Sequence, residues 1–488
     1  MLLRSTLIYA PAIFLTRISA LLLLVIATRL LDQNEYGLLA LVATIGEMTD
    51  MAVTNWLRIA FIRLGGKGAI SEGSLRLAAR ALSLTTVLAL LISIAVSFSI
   101  VPERWQEFSL AVGAYLIAGS IGRFALCVLQ MQQRHAVYSM LEFLRAALGI
   151  ALPVLALMLI DNSFFVATLA SSAGALIAGS IGLRLALAKA VPGAPRFAYR
   201  DLVVLGLPLV VMALLAFGIN SLERLILKFF YDASAVAVYA AAYALARQPI
   251  DVIANAINMG AFPEMVSRFD EHGPDAAGKF LGQQMALMAR LSLPAAALLI
   301  VLSADITELV LPASYHNEVT MLFPLIVLSV LLANFQSFVY DNIFHAHKRN
   351  WLLIWSSVPG SIVGVALGLL LIPRYEGLGA AYALAGGSLV GLIGSIAVSS
   401  RLMRPQVPYR AVLISAVVAM LCGAAAAAVG AVLGDIWVVV RLGVSALAGA
   451  AVFLGLTALV HPQETRRFMD IAAARLGVGG RRPRVSGG

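Results

Sequence analysis

Apolar runs of about twenty residues or more recur along the whole chain, separated by short stretches that carry charge, proline or glycine. A bilayer crossing by an α-helix needs about 20 mainly apolar residues, so each run predicts one transmembrane helix. They fall near 6–31, 37–62, 79–102, 108–130, 137–160 and 164–187, then near 203–229, 235–262, 281–311, 320–345, 351–373 and 377–400, with a last pair near 411–434 and 437–460. The fold class expected is therefore all-α: a polytopic membrane protein of about fourteen helices. The first run lacks a small-residue cleavage site and reads as a retained helix.

Polar positions set the orientation. Lys and Arg cluster in alternate breaks: Arg63, Lys67, Arg76 and Arg80; Arg134; Arg184, Lys189, Arg196 and Arg200; Arg268 and Lys279; Lys348 and Arg349; Arg401, Arg404 and Arg410. The other breaks hold few, chiefly Arg29, Arg104, Lys228 and Arg374. Positive loops stay cytoplasmic, so both termini are expected inside.

The chain also repeats. Asp32, Tyr36 and Asp50 around the second helix are echoed by Asp232, Tyr239 and Asp251 around the eighth. The expected organisation is two six-helix bundles, residues 1–200 and 201–405, a helix pair over 406–462, and a basic tail over 463–488 whose Gly, Pro and Arg content predicts disorder. A cavity is expected where the bundles meet. Gly360, Gly364 and Gly368, and Gly387 with Gly391, have the spacing that lets helix backbones touch in lipid.

Composition excludes other classes. Of 488 residues 61% are hydrophobic and 12% charged, with a mean hydropathy of +0.93, whereas soluble chains carry about 25% charged residues. The net charge of +10 lies in loop clusters and reads as topology rather than nucleic-acid binding. Cys127 and Cys422 lie within apolar runs and predict neither disulfide nor metal site. No cofactor, metal or ATP-binding loop is expected.

Charges within the spans are the candidate chemistry. An arginine at a helix centre costs about 2.5–3.5 kcal/mol on the translocon scale, so it faces a wet cavity or a partner. Candidates for a cationic, substrate-binding cavity are Arg17, Arg58, Arg123, Arg224, Arg247 and Arg290, and for a coupling ion Glu47, Asp50 and Asp251. Glu142 with Arg145, and Arg247 with Asp251, have the spacing of bridges on one helix face. Arg58, Arg145, Arg224 and Arg441 lie near enough to helix ends to snorkel. Arg58 stands two turns from Asp50, too far along a regular helix for a direct bridge. Arg17, Arg123 and Arg290 have no opposite charge three or four residues away. Guanidinium forks match phosphate or carboxylate oxygens, which favours an anionic guest.

The stretches LLLLVIATRLLDQNEYGLLALV, LPLVVMALLAFGINSLERLILKFFYDASAVAVYAAAYALA and LLLIPRYEGLGAAYALAGG resemble the Wzx-like polysaccharide biosynthesis flippases of the multidrug/oligosaccharidyl-lipid/polysaccharide exporter superfamily. The resemblance implies a non-enzyme that carries an undecaprenyl diphosphate-linked oligosaccharide across a bacterial inner membrane by alternating access, for lipopolysaccharide, capsule or exopolysaccharide synthesis. It implies membrane lipid and the lipid-linked oligosaccharide as partners, with a polysaccharide polymerase and a chain-length regulator as further candidates. A lipid II flippase of the same superfamily is the alternative. Drug extrusion fits the arginines poorly, and a membrane polymerase or glycosyltransferase would need larger external loops than this chain has.

Overall fold

The structure, a computed structural model, describes residues 19–66, 68, 70–206, 210, 222–349, 351–434 and 436–460. Arg17 and the 463–488 tail lie outside the described residues. Fourteen helices account for the described chain almost entirely. The first six are α1 (Ser19–Leu30), α2 (Gln33–Gly65), α3 (Glu72–Ile100), α4 (Trp105–Met131), α5 (His135–Leu159) and α6 (Phe164–Leu187). The next are α7 (Leu222–Phe230 described), α8 (233–272), α9 (274–301), α10 (Ala313–Ala346), α11 (352–375) and α12 (377–399), followed by α13 (Tyr409–Leu433) and α14 (Val438–Val460).

The helix boundaries carry physical reasons. Asp32 caps α2 by accepting the Glu35 N–H at 2.8 Å, and Asp232 caps α8 by accepting the Ala235 N–H at 3.3 Å. The two repeats thus start their second helix with the same device. Hydrogen bonds from the Ser234 hydroxyl and from backbone amides hold the exposed Asp232 carboxyl below its ordinary range. Helix α3 begins seven residues before its expected start. Ser71 caps it and Arg76 bridges Glu72 at 3.0 Å, so the charged segment is helical as well as basic. Helices α8 and α9 run past their apolar cores and meet at Gly273, whose φ of 81° reverses the chain before Pro274 opens the next helix. Glu376 makes the equivalent reversal between α11 and α12 at φ 52°, a left-handed conformation costly for a residue with a Cβ.

Two of the helices that the sequence treats as regular contain wider i→i+5 turns, at Asp50–Asn55 in α2 and Gln336–Tyr340 in α10. Such turns leave backbone carbonyls to side chains. In α10 the freed Phe338 carbonyl accepts from Gln284 at 2.9 Å and from Asn342 at 2.6 Å. Small residues bring α11 and α12 together: a Cβ on Gly360 would lie 2.9 Å from the Gly391 Cα. Gly122 and Gly179 pack α4 on α6 in the same way.

Loops gather at two ends. At the basic end the chain around Ile70–Gly73 pairs with Val191–Gly193 through the Glu72 N–H to Val191 carbonyl bond at 2.9 Å and the Gly73 N–H to Gly193 carbonyl bond at 3.0 Å. At the bare end the bundles clasp one another. Arg29 donates to the Leu309 carbonyl at 2.8 Å, Gln33 to the Ser314 carbonyl at 2.9 Å, and Tyr36 meets Tyr315 edge-on. Glu35 ties the first bundle's own loops by pairing with Arg104 and accepting the Phe164 N–H at 2.7 Å.

The apolar core follows the same division. One cluster crosses from bundle to bundle, with Leu38, Leu41, Val42 and Ile45 of α2 among Val236, Tyr239, Ala242 and Tyr243 of α8. Toward the basic end the core splits: Phe61, Leu82 and Phe124 share one cluster with Leu202, while Met265, Met288 and Ile343 lie in clusters of the second half. One buried cluster thus joins the halves toward the bare end, and separate clusters serve them toward the basic end. Around the outside, large side chains such as Leu84, Phe98, Leu110, Met158, Ile362 and Leu447 are exposed, a surface suited to hydrocarbon and not to water.

Candidate translocation site

Asp50 and Asp251 stand at nearly the same depth, eighteen and nineteen residues beyond their capping aspartates. Each collects partners. The Asp50 carboxylate is gripped by both Arg58 nitrogens, at 2.9 and 2.7 Å, accepts from the Thr54 hydroxyl, and meets Arg123 of α4 at 3.2 Å. The pair is deeply buried, with Arg58 and Asp50 side chains 9% and 7% exposed. This corrects the expectation that two turns separate them too far. An arginine side chain leans toward its helix N-terminus, and the i→i+5 turn lies between the two residues. Arg123 finds its opposite charge on another helix, which sequence spacing cannot reveal.

In the second bundle Arg247 donates to Asp251 at 2.8 Å, as its four-residue spacing predicts, and to the Tyr243 hydroxyl at 2.7 Å. Asn334 of α10 donates to the other Asp251 oxygen at 3.1 Å. The repeats therefore match again: each α2-type acid is joined to its α4-type neighbour, by Arg123 in one bundle and Asn334 in the other. The Arg247 side chain, 39% exposed, keeps one face open.

Between the bundles stands Arg224. Its guanidinium donates to the Thr44 hydroxyl of α2 at 3.2 Å and lies 5.1 Å from the centre of the Tyr243 ring, with Arg247 5.4 Å from the same ring. Among the described residues it meets no carboxylate at ion-pairing distance. Two guanidinium groups thus lie near one tyrosine ring. Glu47 and Met51 of α2 and Val252 and Ala256 of α8 are exposed. Glu47 is exposed, one turn before Asp50.

Two other arginines lie elsewhere. Arg290 lines a small pocket closed by Ser415, Val418, Leu456 and Thr457 of α13 and α14. Arg123 also borders a cavity of about 200 Å³ inside the first bundle, with Tyr115, Glu142, Arg145, Ser171 and Ser172. There Arg145 bridges Glu142 at 2.7 Å, as its spacing predicts. Arg441 does not reach for the headgroups alone; it pairs with Asp305 at 2.7 Å and Glu308 at 2.8 Å. Sequence reasoning missed Thr44, Thr54 and Asn334, whose hydroxyls and amide give no signal among so many membrane serines and threonines. Asp341 accepts from Ser395 at 2.7 Å. Among the described residues no three His, Cys, Asp or Glu side chains gather as a metal site would require.

Helices of the two halves thus meet around a cluster of charged and aromatic side chains. The chain belongs to the polysaccharide biosynthesis protein family, whose model matches residues 26–320. The lipid II flippase MurJ, in an inward-closed conformation, superposes with a TM-score of 0.74 at 12% identity, over 93% of this chain and 99% of that one. A transporter of the MATE type from Vibrio cholerae gives 0.51 at 13% identity, covering 82% and 95%. A eukaryotic MATE transporter gives 0.51 at 14%, covering 86% and 100%. At these identities the likeness is one of fold. No curated protein sequence matches the chain.

Proposed function

We propose that this chain flips an undecaprenyl diphosphate-linked oligosaccharide from the cytoplasmic to the outer leaflet of a bacterial inner membrane, as a step in cell-surface polysaccharide synthesis. The observation that carries this reading is the pair Arg224 and Arg247, 5.1 and 5.4 Å from the centre of one Tyr243 ring, where Arg224 also reaches Thr44 of the other half. A diphosphate offers the oxygens that guanidinium forks bind. The family match points to a glycan destined for polymer, and this favours an oligosaccharide carrier over lipid II.

In this reading the basic end is cytoplasmic, both termini lie there, and the structure is the inward-facing member of an alternating pair. Substrate enters between the parted ends of the bundles with its lipid tail in the membrane. Arg224 and Arg247 hold its diphosphate. Glu47 adds a carboxylate, and Arg17 is a further candidate from the sequence. Asp50 with Arg58 and Arg123, and Asp251 with Arg247 and Asn334, set the arginines in place. A polysaccharide polymerase and a chain-length regulator would receive the product.

The test is export of the glycan in cells relying on Arg224 and Arg247 variants, read as surface polymer and as lipid-linked oligosaccharide retained inside. Lysine keeps charge without the fork and alanine keeps neither, so export is expected to fall in the order wild type, Lys, Ala at each position. Undiminished export by both alanine variants, at normal protein abundance, overturns the assignment.

A further inference from the structure

The cavity of about 200 Å³ inside the first bundle takes no part in the diphosphate site, and its lining is polar for a space at membrane depth. Helices α4 and α5 both pack on α6 and barely touch each other, so α6 is the floor and they are the walls. Small residues leave the room: Ala118, Gly119 and Gly122 on α4 and Ala175 on α6. A single water needs about 10–15 Å³ on the same measure, so the space suits a ring-sized solute. The polar groups around it belong to Tyr115, Arg123, Glu142, Arg145, Ser171 and Ser172. Arg123 and Arg145 stand well inside their helices, yet their side chains are 34% and 39% exposed. At that depth exposed guanidinium surface needs a polar companion, and both side chains border this pocket.

We propose that this pocket binds one neutral sugar residue, in the native substrate a sugar of the lipid-linked glycan. The source of that sugar rests on the function proposed above; the chemistry of the pocket does not. An anion would meet Glu142 in the wall and the Asp50 carboxylate 3.2 Å from Arg123, and a cation would meet two guanidinium groups. The charges are answered within the protein. Arg145 grips Glu142 at 3.3 and 2.7 Å, and Asp50 serves both Arg58 and Arg123. What these groups keep is hydrogen-bonding capacity, since a guanidinium fork has several N–H donors and a carboxylate several acceptor sites. A sugar hydroxyl donates and accepts at once, so neighbouring hydroxyls of one ring fit a wall where donors and acceptors lie side by side, with two serine hydroxyls on the floor. The place fits as well. Tyr115 lies against Gly46 of α2 with no room for a Cβ between them, two residues from the Thr44 that Arg224 reaches. A helix is about 10 Å across, so the pocket stands within reach of a short glycan whose diphosphate lies at Arg224.

The test uses sugars that need no lipid. Ser171→Cys is placed in the full chain, with Cys127 and Cys422 replaced by alanine, and the protein is held in lipid nanodiscs. Its reaction with methyl methanethiosulfonate is timed against rising concentrations of the methyl glycosides of glucose, galactose, mannose and N-acetylglucosamine. At least one is expected to slow the reaction, about twofold when its concentration equals its dissociation constant and further beyond it. Inorganic pyrophosphate and choline, an anion and a cation, are expected to leave the rate unchanged, and a control Ala188→Cys, at an exposed position, is expected to respond to none of them. Ala175→Leu, which fills the pocket, is expected to abolish the protection and to lower glycan export at normal protein abundance, whereas Ala175→Ser is expected to do neither. Should the Leu variant not accumulate, Glu142→Gln combined with Arg145→Met decides, because it removes the polar wall without leaving a lone charge and is expected to weaken the protection. Protection by none of the glycosides, equal protection by pyrophosphate or choline, or undiminished export by Ala175→Leu each overturns the proposal. Undiminished export by the Arg224 and Arg247 variants would instead strike the diphosphate site and leave the protection at Ser171→Cys standing.

Discussion

Arg58 and Arg247 have similar surroundings on paper, each an arginine with an aspartate on its own helix. The structure gives them opposite standing. Arg58 is locked by two bonds to a buried carboxylate, with Thr54 and Asn55 completing the cage. Removing one partner of a buried pair leaves an unpaired charge and costs about 3–5 kcal/mol. Arg58→Met is therefore expected to lower the thermal unfolding temperature of purified protein steeply, and Asp50→Asn in the same background is expected to recover part of the loss. Arg247→Met leaves the buried Asp251 with the Asn334 amide, so it is expected to lower stability less than Arg58→Met and to lower export greatly. Equal destabilisation by the two methionine variants would contradict this. The Arg247–Asp251 and Arg145–Glu142 bridges were legible from spacing, since three and four residues share a helix face. Arg123 with Asp50 was not, because the contact joins residues more than seventy positions apart. Nor was Arg58 with Asp50, because nothing in the local sequence announces a widened turn.

At the scale of elements, number and order of helices follow from hydrophobic length, while their ends follow from caps that hydropathy ignores. The Asp32 and Asp232 caps show this best, since the sequence marked both aspartates as a repeat and the structure gives the repeat its work. Asp32→Ala and Asp232→Ala are each expected to cost about 1 kcal/mol, with Asn at either position nearly neutral. Unfolding of the detergent-solubilised protein measures it. The Asp232 carboxyl is held below its ordinary range in the folded chain, so its contribution is present above the unfolded-state value of about 3.9 and is lost as pH falls through the lower folded value. An Asp232→Asn variant should lack that acid-side loss. The stretch that joins α8 to α9 was read as a break because it is polar. It is helical because Glu264 and Arg268 pair at 2.7 Å on one face and Phe262, Val266 and Phe269 pack on another.

For the whole molecule, the core shared toward the bare end makes one prediction. A cysteine at Glu47→Cys, an exposed position, should react with an impermeant maleimide from the basic side and remain protected from the bare side. Gly37 lies against the Ala233 backbone, with no room for a Cβ between α2 and α8. Gly37→Val should prop the seam apart and make the same cysteine reactive from the bare side. Continued protection in that variant would show that the seam does not depend on this contact. The shared Asp32 and Asp232 caps were visible in the repeat. The joining of the halves toward the bare end was not, because it depends on contacts such as Arg29 with Leu309 that join residues 280 positions apart.

The seal also shapes the electric field. A cleft filled with water and ions stays close to the potential of the compartment it opens into, so a membrane voltage falls mainly across the dry half. The whole drop, which a uniform slab would spread over its full thickness, is compressed into the layer between Thr44 and the clasp at Gln33 and Ser314. A unit charge carried across that drop gains or loses about 2.3 kcal/mol per 100 mV. Arg224 and Arg247 stand at its inner edge, where a displacement of a few ångströms traverses a large fraction of the voltage.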